Sequence, residues 1–318
     1  MSRIVVLGSA NMDLVVRQPR LARPGETLAG TSFATGPGGK GLNQAIAAAR
    51  AAGSADTVAF LGCVGDDAFG HRLVEALRAA GVDADGIRTV TAPAAAGSTG
   101  VAAISVTDDG ENAIVVVPGA NADDALTDTD RRAIAGAAFL LVQLERPLTL
   151  VRAALELART AGVRTVLTPA PAVPAAAELV PLADIVIPND GEAAVLLRAL
   201  DPEGAAGDDP EAAARALSAR AAGGDGSGIA VVTRGAAGAI VARGGTLLAP
   251  VAARAVHAVD TTGAGDTFAG VLVAWLADGA ELADALAAAS AAASLAVTRP
   301  GAAAGMPDRD EIVAVLRG

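Results

Sequence analysis

The stretch GPGGKG, Gly36–Gly41, decides which α/β fold this chain can have, because several phosphate and polyol sites are written with glycines at this density. A dinucleotide site needs its glycines to follow a central strand, open a helix and lead to an acidic residue at the end of the next strand. Here the next β-branched run, TVAFLG (Thr57–Gly62), ends in glycine and cysteine, and the first run of the chain, IVVLGSANMD, lacks the spaced glycines. A phosphate loop needs a glycine five residues before the Gly-Lys pair and Ser or Thr after it; those places hold Ala34 and Gly41. Both nucleotide readings fail. What remains is a glycine-lined turn at a helix start, carrying Lys40 and followed by Asn43, where bare amides can approach hydroxyl groups of a polyol, or where the chain merely turns.

Outward from that turn, β-branched runs alternate with alanine-rich helical stretches. Strands are predicted at Ile4–Gly8, Thr57–Gly62, Ala138–Leu144, Val163–Thr168, Asp184–Pro188 and Ile229–Thr233, and helices at Asn43–Ala52, Ala68–Ala80, Leu148–Ala161, Glu192–Leu200 and Glu211–Ala222. The alternation predicts an α/β fold with a central, mostly parallel sheet sandwiched by helices, and a site beyond the carboxyl ends of the strands. Thr27–Gly36 and Ser98–Val117 break the rhythm as extended chain, the second as a hairpin around Asp109-Gly110. They predict a small β lid, from roughly residues 11–36 and 97–119, on a single domain spanning 1–318. Asp201–Pro210 and Ala222–Gly228 read as loops.

Composition narrows the partners. The 318 residues carry 24 Lys and Arg against 35 Asp and Glu, a net charge of −11, which opposes nucleic acid and anionic membrane. The single Cys63 excludes an internal disulfide framework, and no run reads as a targeting or membrane-spanning segment, so a cytoplasmic address is expected. His71 and His257 lie in unrelated contexts, which leaves a metal cluster or a Ser-His triad unsupported.

The second glycine-rich stretch is DTTGAGDTFAG, Asp260–Gly270. Gly263-Ala264-Gly265 has little side-chain bulk and leads straight into a helix predicted to run to about Asp278. The first amides of that helix lack intrahelical partners and would hold a phosphoryl group as its charge develops. Asp266 could accept the proton of a hydroxyl attacking a γ-phosphate. The helix terminus should favour its ionised form. The alternative, an N-capping Asp, leaves the two spaced glycines and Thr261-Thr262 unexplained.

Together these motifs resemble the ribokinase-like (PfkB-type) carbohydrate kinases. DTTGAGDTFAG looks like that family's C-terminal signature and GPGGKGLNQA like its N-terminal one. GSANMD, STGVAAI, LVQLERP, TPAPA, IPNDGEA, VVTRGAAG and AVTRPGA follow in the family's order and spacing, from about Arg3 to Met306. The resemblance implies ATP-dependent phosphorylation of D-ribose at O5, giving D-ribose 5-phosphate and ADP. Deoxyribose, fructose or adenosine kinases are alternatives, as is a non-catalytic sugar-binding regulator; a nicotinamide-dependent dehydrogenase rests on the glycine pattern of Gly36–Gly41 alone.

The resemblance also implies roles. Asn11, Asp13, Gly39, Lys40, Asn43 and Glu145 would bind the sugar, an amide and carboxylates suiting a polyol because together they donate and accept. Asp266 would touch the same hydroxyl as base, with Gly263, Ala264 and Gly265 forming the anion hole. Asn189 and Glu192 would organise Mg²⁺, its water and the phosphates, although N-x-x-E after a strand is also a capping box. Thr233, Gly235, Gly238, Gly265 and Ser290 would line the nucleotide. Asp260, the carbonyls of Thr262, Ala296, Arg299 and Gly301, and Gly305 resemble the family's K⁺ loop. The chain departs from the family pattern at Thr168, where Asn is more usual, at Ala236, at Ser290 and at Leu14. A homodimer through the lid is expected, because its strand edges need cover.

Overall fold

A computed structural model describes residues 4–53, 57–91, 97–201, 209–221 and 226–317. Residues 202–208 and 222–225, which make up most of the two predicted loops, lie outside this set. The elements run β1 (Ile4–Leu7), β2 (Asn11–Gln18), β3 (Ser32–Gly38), α1 (Lys40–Ala51), β4 (Val58–Gly65), α2 (Ala68–Ala79) and β5 (Ile87–Val90). Next come β6 (Gly100–Thr107), β7 (Asn112–Val117), α3 (Asp128–Ala135), β8 (Phe139–Val142), α4 (Leu148–Thr160), β9 (Arg164–Leu167) and β10 (Ile185–Val186). The chain closes with α5 (Asp190–Leu200), α6 (Pro210–Arg220), β11 (Ile229–Thr233), β12 (Ala239–Arg243), β13 (Thr246–Leu247), α7 (Ala264–Ala277), α8 (Leu282–Ala296), α9 (Ala302–Gly305) and α10 (Arg309–Arg317).

Among the described residues the main sheet has nine strands in the order β13-β12-β11-β10-β9-β8-β1-β4-β5. From β11 to β5 every pairing is parallel; β12 turns back antiparallel at one edge. The β1 residues alternate between the two faces. Ile4 and Val6 join α1, α2, α7 and α8 in one apolar cluster, while Val5 and Leu7 join α4, α5 and α6 in the other. A strand buried on both sides reads as an unbroken apolar run, as IVVL does. This is the predicted α/β sandwich.

Close helix packing positions the site. A Cβ on Gly270 of α7 would lie 2.5 Å from the Gln44 carbonyl oxygen and 2.8 Å from Ala47 Cβ, so α7 and α1 touch nearly backbone to backbone. Any side chain there would force them apart, at about 1–3 kcal/mol for overpacking a filled core. The same economy sets GPGGKG: a Cβ on Gly41 would meet Gly8 Cα and Ser9 N at 2.6 Å, and Gly39 turns at φ 92° over Asn11 N. These two glycines are therefore required by the exit of β1 before any ligand is considered.

The second sheet, β3-β2-β6-β7, is the predicted lid. The hairpin turns through Asp109-Gly110 with Gly110 at φ 87°. IVVLGSANMD divides at Gly8–Ala10, so that β1 enters the main sheet and β2, from Asn11, enters the lid, where the expected lid boundary lies; β5, β12 and β13 were not expected.

Candidate active site

The carboxyl ends of β1, β8, β10 and β11 converge with the starts of α1, α5 and α7. Asn11 is buried, and its Oδ1 accepts a hydrogen bond from Asn121 Nδ2 at 2.8 Å. Asn121 also brackets Ala10, accepting from its N–H and donating to its carbonyl, both at 3.0 Å, which fixes the junction of the two sheets. Asp13 lies over Gly38, where a Cβ would come within 2.2 Å of its Oδ2. Glu145, just beyond β8, accepts from Ser9 Oγ at 2.5 Å and from the Lys40 amide at 3.0 Å.

Three carboxylates crowd this end of the cleft. Burial, then the charges of Glu145 and Asp266, push Asp13 from 3.8 up to about 7. Burial opposes the Lys40 charge, yet Asp266, Glu145 and Glu192 outweigh it and raise the ammonium above its ordinary value. The Asp13 shift has a signed consequence: the folded chain holds that proton more tightly than the unfolded one, so this group's contribution makes stability fall as pH rises from about 4 to about 7. Asp13→Asn should therefore lessen the fall and melt above the wild type at pH 8; a lower melting temperature at pH 8 would contradict the shift.

Asp266 stands in the first turn of α7, whose N-cap is Gly263 in the left-handed region at φ 76°. No side chain caps the helix, so Asp266 is not an N-capping Asp and the first amides face outward. Its Oδ2 accepts from Asn43 Nδ2 at 3.0 Å and its Oδ1 from Gln44 Nε2 at 2.9 Å. The expectation that the helix terminus would favour its ionised form needs correction. Burial raises the Asp266 pKa, with Glu145 adding to the rise, and Lys40, Gln44 and Asn43 offset only part of it. Even half-buried at the cavity wall, the carboxylate loses more solvation than the helix end returns.

A cavity of about 180 Å³ opens between these groups. It is lined by Lys40, Gln44, Thr168, Asn189, Glu192, Thr233 and Gly263–Asp266, which brings the predicted base, anion hole and phosphate residues together. Asn189 and Glu192 form the reciprocal capping box of α5, each backbone N–H bonded to the other's side-chain oxygen at 2.9 Å. Burial raises the Glu192 pKa against the pull of the Asn189 N–H and Lys40. One Glu192 oxygen is committed to the cap and the other stays available to the hydration shell of a cation. That donor set fits Mg²⁺, which keeps several waters.

Ser290 lies apart from that cavity. It lines a larger one, about 560 Å³, with Val251, Ala252, Leu282 and Leu286, and its hydroxyl donates to the Ala252 carbonyl at 2.9 Å. Gly238 packs against the wall of this larger cavity: at φ 83°, a Cβ there would lie 2.0 Å from the Val251 carbonyl oxygen.

The predicted cation loop is stitched from two segments. Asp260 Oδ1 accepts from Thr262 N and Oδ2 from Gly301 N, both at 2.9 Å, while Val259 N and Asp260 N donate to the Val297 carbonyl. Burial opposes the Asp260 charge, but bonds from Thr262 and Gly301 outweigh it and hold the carboxyl below its ordinary value. Arg299 pairs its guanidinium with Glu311, leaving its carbonyl as its contribution to the loop. Among the described residues no group of three or more His, Cys, Asp or Glu could hold a metal ion. One carboxylate among backbone carbonyls is an all-oxygen donor set, which suits K⁺.

Sequence reasoning missed Gln44, Gln143, Ser9 and Asn121. Two carried a signal. Lys40, Asn43 and Gln44 stand at i, i+3 and i+4 on one face of α1, and Gln143 precedes Glu145 by the strand period.

A lidded α/β sheet whose strand ends gather acidic and amide side chains before an uncapped helix terminus defines an enzyme that transfers phosphoryl groups to hydroxyls. The chain belongs to the pfkB family of carbohydrate kinases, whose profile matches residues 1–309. It is 40% identical to a ribokinase of Schizosaccharomyces pombe over 98% of this chain and 97% of that one. It is 38% identical to a ribokinase of Haemophilus influenzae over 98% of both. Among solved structures it is similar to Thermotoga maritima ribokinase, with TM-score 0.87 and 30% identity over the whole of both chains. Arabidopsis thaliana ribokinase, solved with ribose and ATP, gives TM-score 0.87 and 31% identity, again over both whole chains.

Proposed function

We propose that this enzyme transfers the γ-phosphate of ATP to O5 of D-ribose, yielding D-ribose 5-phosphate and ADP. The observation that carries the reading is the double setting of Asp266: Asn43 bonds it on one side, and the cavity of Lys40, Asn189, Glu192 and Thr233 opens on the other. The sugar is held by Asn11, Asp13, Gly39, Asn43 and Glu145, with Lys40 between sugar and phosphates. Asp266 takes the O5 proton as that oxygen attacks, and the amides at Gly263–Asp266 receive the charge on the transferring group. Its raised pKa makes it a better base than an exposed aspartate. Thr233, Gly235 and Gly238 lead the nucleotide toward the larger cavity, where Ser290 anchors the loop beside adenine.

When bound, Mg²⁺ would supply charge neutralisation on the phosphates, with Asn189 and Glu192 holding its water, and K⁺, held by Asp260 and the carbonyls of Thr262, Ala296, Arg299 and Gly301, would supply positive charge beside the anion hole. The chain acts as one α/β unit whose lid covers the sugar. Chains pair through that lid: Ile114, Val115, Val116 and Val117 of the edge strand β7 and Phe33 of β3 are all exposed, so both faces of β7 lack cover. Light scattering should return twice the 30.9 kDa of one chain, and a single-chain mass at working concentration would contradict the pairing.

ADP release from Mg-ATP tests the reading directly, with ribose, deoxyribose, fructose and adenosine offered in K⁺ and in a large organic cation. Turnover on ribose, stimulated by K⁺, is expected. Turnover on another acceptor alone would move the substrate, and absence of turnover on all four would overturn the reading.

A further inference from the structure

The Asp266 carboxylate is met by a chain of buried polar side chains, two amides and a hydroxyl, from three other elements, and the order of donors and acceptors along it leaves one consistent arrangement. Gln44 is 1% exposed. The two protons of its Nε2 go to Asp266 Oδ1 at 2.9 Å and to Thr168 Oγ1 at 3.0 Å. Its Oε1 accepts from Gln143 Nε2 at 2.5 Å. The Thr168 hydroxyl gives its own proton to the Val142 carbonyl at 3.3 Å, so toward Gln44 it can only accept. Were the Gln44 amide turned over, its oxygen would face both the carboxylate and the Thr168 oxygen, and its NH₂ would face the NH₂ of Gln143.

Gln143 is equally buried and equally fixed. Its Oε1 lies against Gly8, where a Cβ would approach to 2.2 Å, and has no hydrogen-bond partner among the described residues. Leaving a buried carbonyl oxygen unpaired is unfavourable, and two apolar side chains in place of the pair would remove that cost. The strand end therefore keeps an orphaned acceptor so that Gln143 can present its N–H to Gln44. Thr168, at the end of β9, is also where this chain departs from the Asn of the family pattern.

We propose that Gln44 is a positioning residue for the Asp266 carboxylate, and that Gln143 and Thr168 lock the Gln44 amide in the orientation that donates to it. The proposal rests on the reading of Asp266 as the base. Asn43 holds the second carboxylate oxygen at 3.0 Å, so both oxygens are fixed from the α1 side and the plane of the carboxylate is set relative to the sugar. Orientation of this kind acts on the chemical step, because small displacements of a reacting group cost rate without changing ground-state contacts.

The test is steady-state kinetics with ribose and Mg-ATP on Gln44→Leu and Thr168→Val, with thermal melting of each. For Gln44→Leu, kcat should fall about 10- to 100-fold while KM for ribose and ATP stays within about threefold. Thr168→Val removes the hydroxyl, both the acceptor for Gln44 and the donor to the Val142 carbonyl, and keeps the side-chain shape, so kcat should fall about 3- to 10-fold with KM again held. Folded variants with kcat within about twofold of the wild type, or with KM raised and kcat unchanged, would overturn the proposal. If Gln44→Leu does not fold, Thr168→Val decides. Asp266→Asn in the same assay separates the two readings. Activity in Asp266→Asn would sink the base itself, whereas an inactive Asp266→Asn beside a fully active Gln44→Leu would sink only the positioning.

Discussion

Asp266→Asn should lose about 10²- to 10⁴-fold in kcat while the protein still folds and still binds ribose, the range expected when a positioned general base is removed. Size and shape are nearly conserved, but the new NH₂ must face Asn43 Nδ2 or Gln44 Nε2, both donors, so one of the two bonds to this side chain is lost. What it removes is the acceptor for the O5 proton. It also deletes a negative charge beside Glu145, Asp13 and Glu192, and the relief of that repulsion offsets the lost bond and the lost attraction to Lys40, so the folded state should persist. The measurement is kcat together with ribose affinity by calorimetry. Near-normal turnover would remove Asp266 from the base role, and loss of ribose binding would show that its main contribution is to ground-state contact.

Gly265→Ala should separate activity from stability more sharply than any other change. A Cβ at Gly265 would have nothing within 4 Å, unlike Gly41, Gly263 and Gly270, each of which abuts neighbouring atoms. Packing therefore gives no reason for glycine here, and within α7 alanine is the better helix former by up to about 1 kcal/mol. The empty space is the approach to the uncapped amides, where the transferring phosphoryl group must come close. Gly265→Ala should melt at or above the wild-type temperature and lose about 10²-fold or more in kcat, the scale for a disturbed oxyanion-type site. Wild-type turnover in the alanine variant would mean that the phosphate does not pass over Gly265.

Much of this was legible in local sequence. The alternation of apolar runs placed the parallel strands because each is buried on both faces, and Asp109-Gly110 marked the lid hairpin because only a turn residue suits φ 87°. The lid boundary near residue 11 was legible too, but the cause of the break at Gly8–Ala10 was not. The break follows from Gly8 lying against Gly41, a contact between segments far apart in the chain. Helix α8 was unmarked because LADALAAASAAASLA offers no polar stripe; most of its positions are buried against α7 and its neighbours. The start of α1 at Lys40 rather than Asn43 reflects Gly39, whose φ of 92° makes it the N-cap.

In the candidate site, glycine turns and acidic residues advertise themselves by type and spacing, and Asp266, Glu192 and the Gly263–Gly265 turn, which line the same cavity, were read that way. Gln44 and Gln143 were not, because their meaning lies in a bond between residues separated by 99 positions. The ionisation of Asp266 was misjudged for the same reason: its position at a helix start is local, whereas its burial is made by the whole fold.

One transfer, from ATP to the primary hydroxyl of ribose, defines the proposed reaction. Its most direct test is phosphorus NMR of the product formed by the wild-type enzyme from Mg-ATP and ¹³C-labelled ribose. One ADP per sugar is predicted, with the new phosphorus coupled to C5. Coupling to C1, or ADP accompanied only by inorganic phosphate, would contradict it.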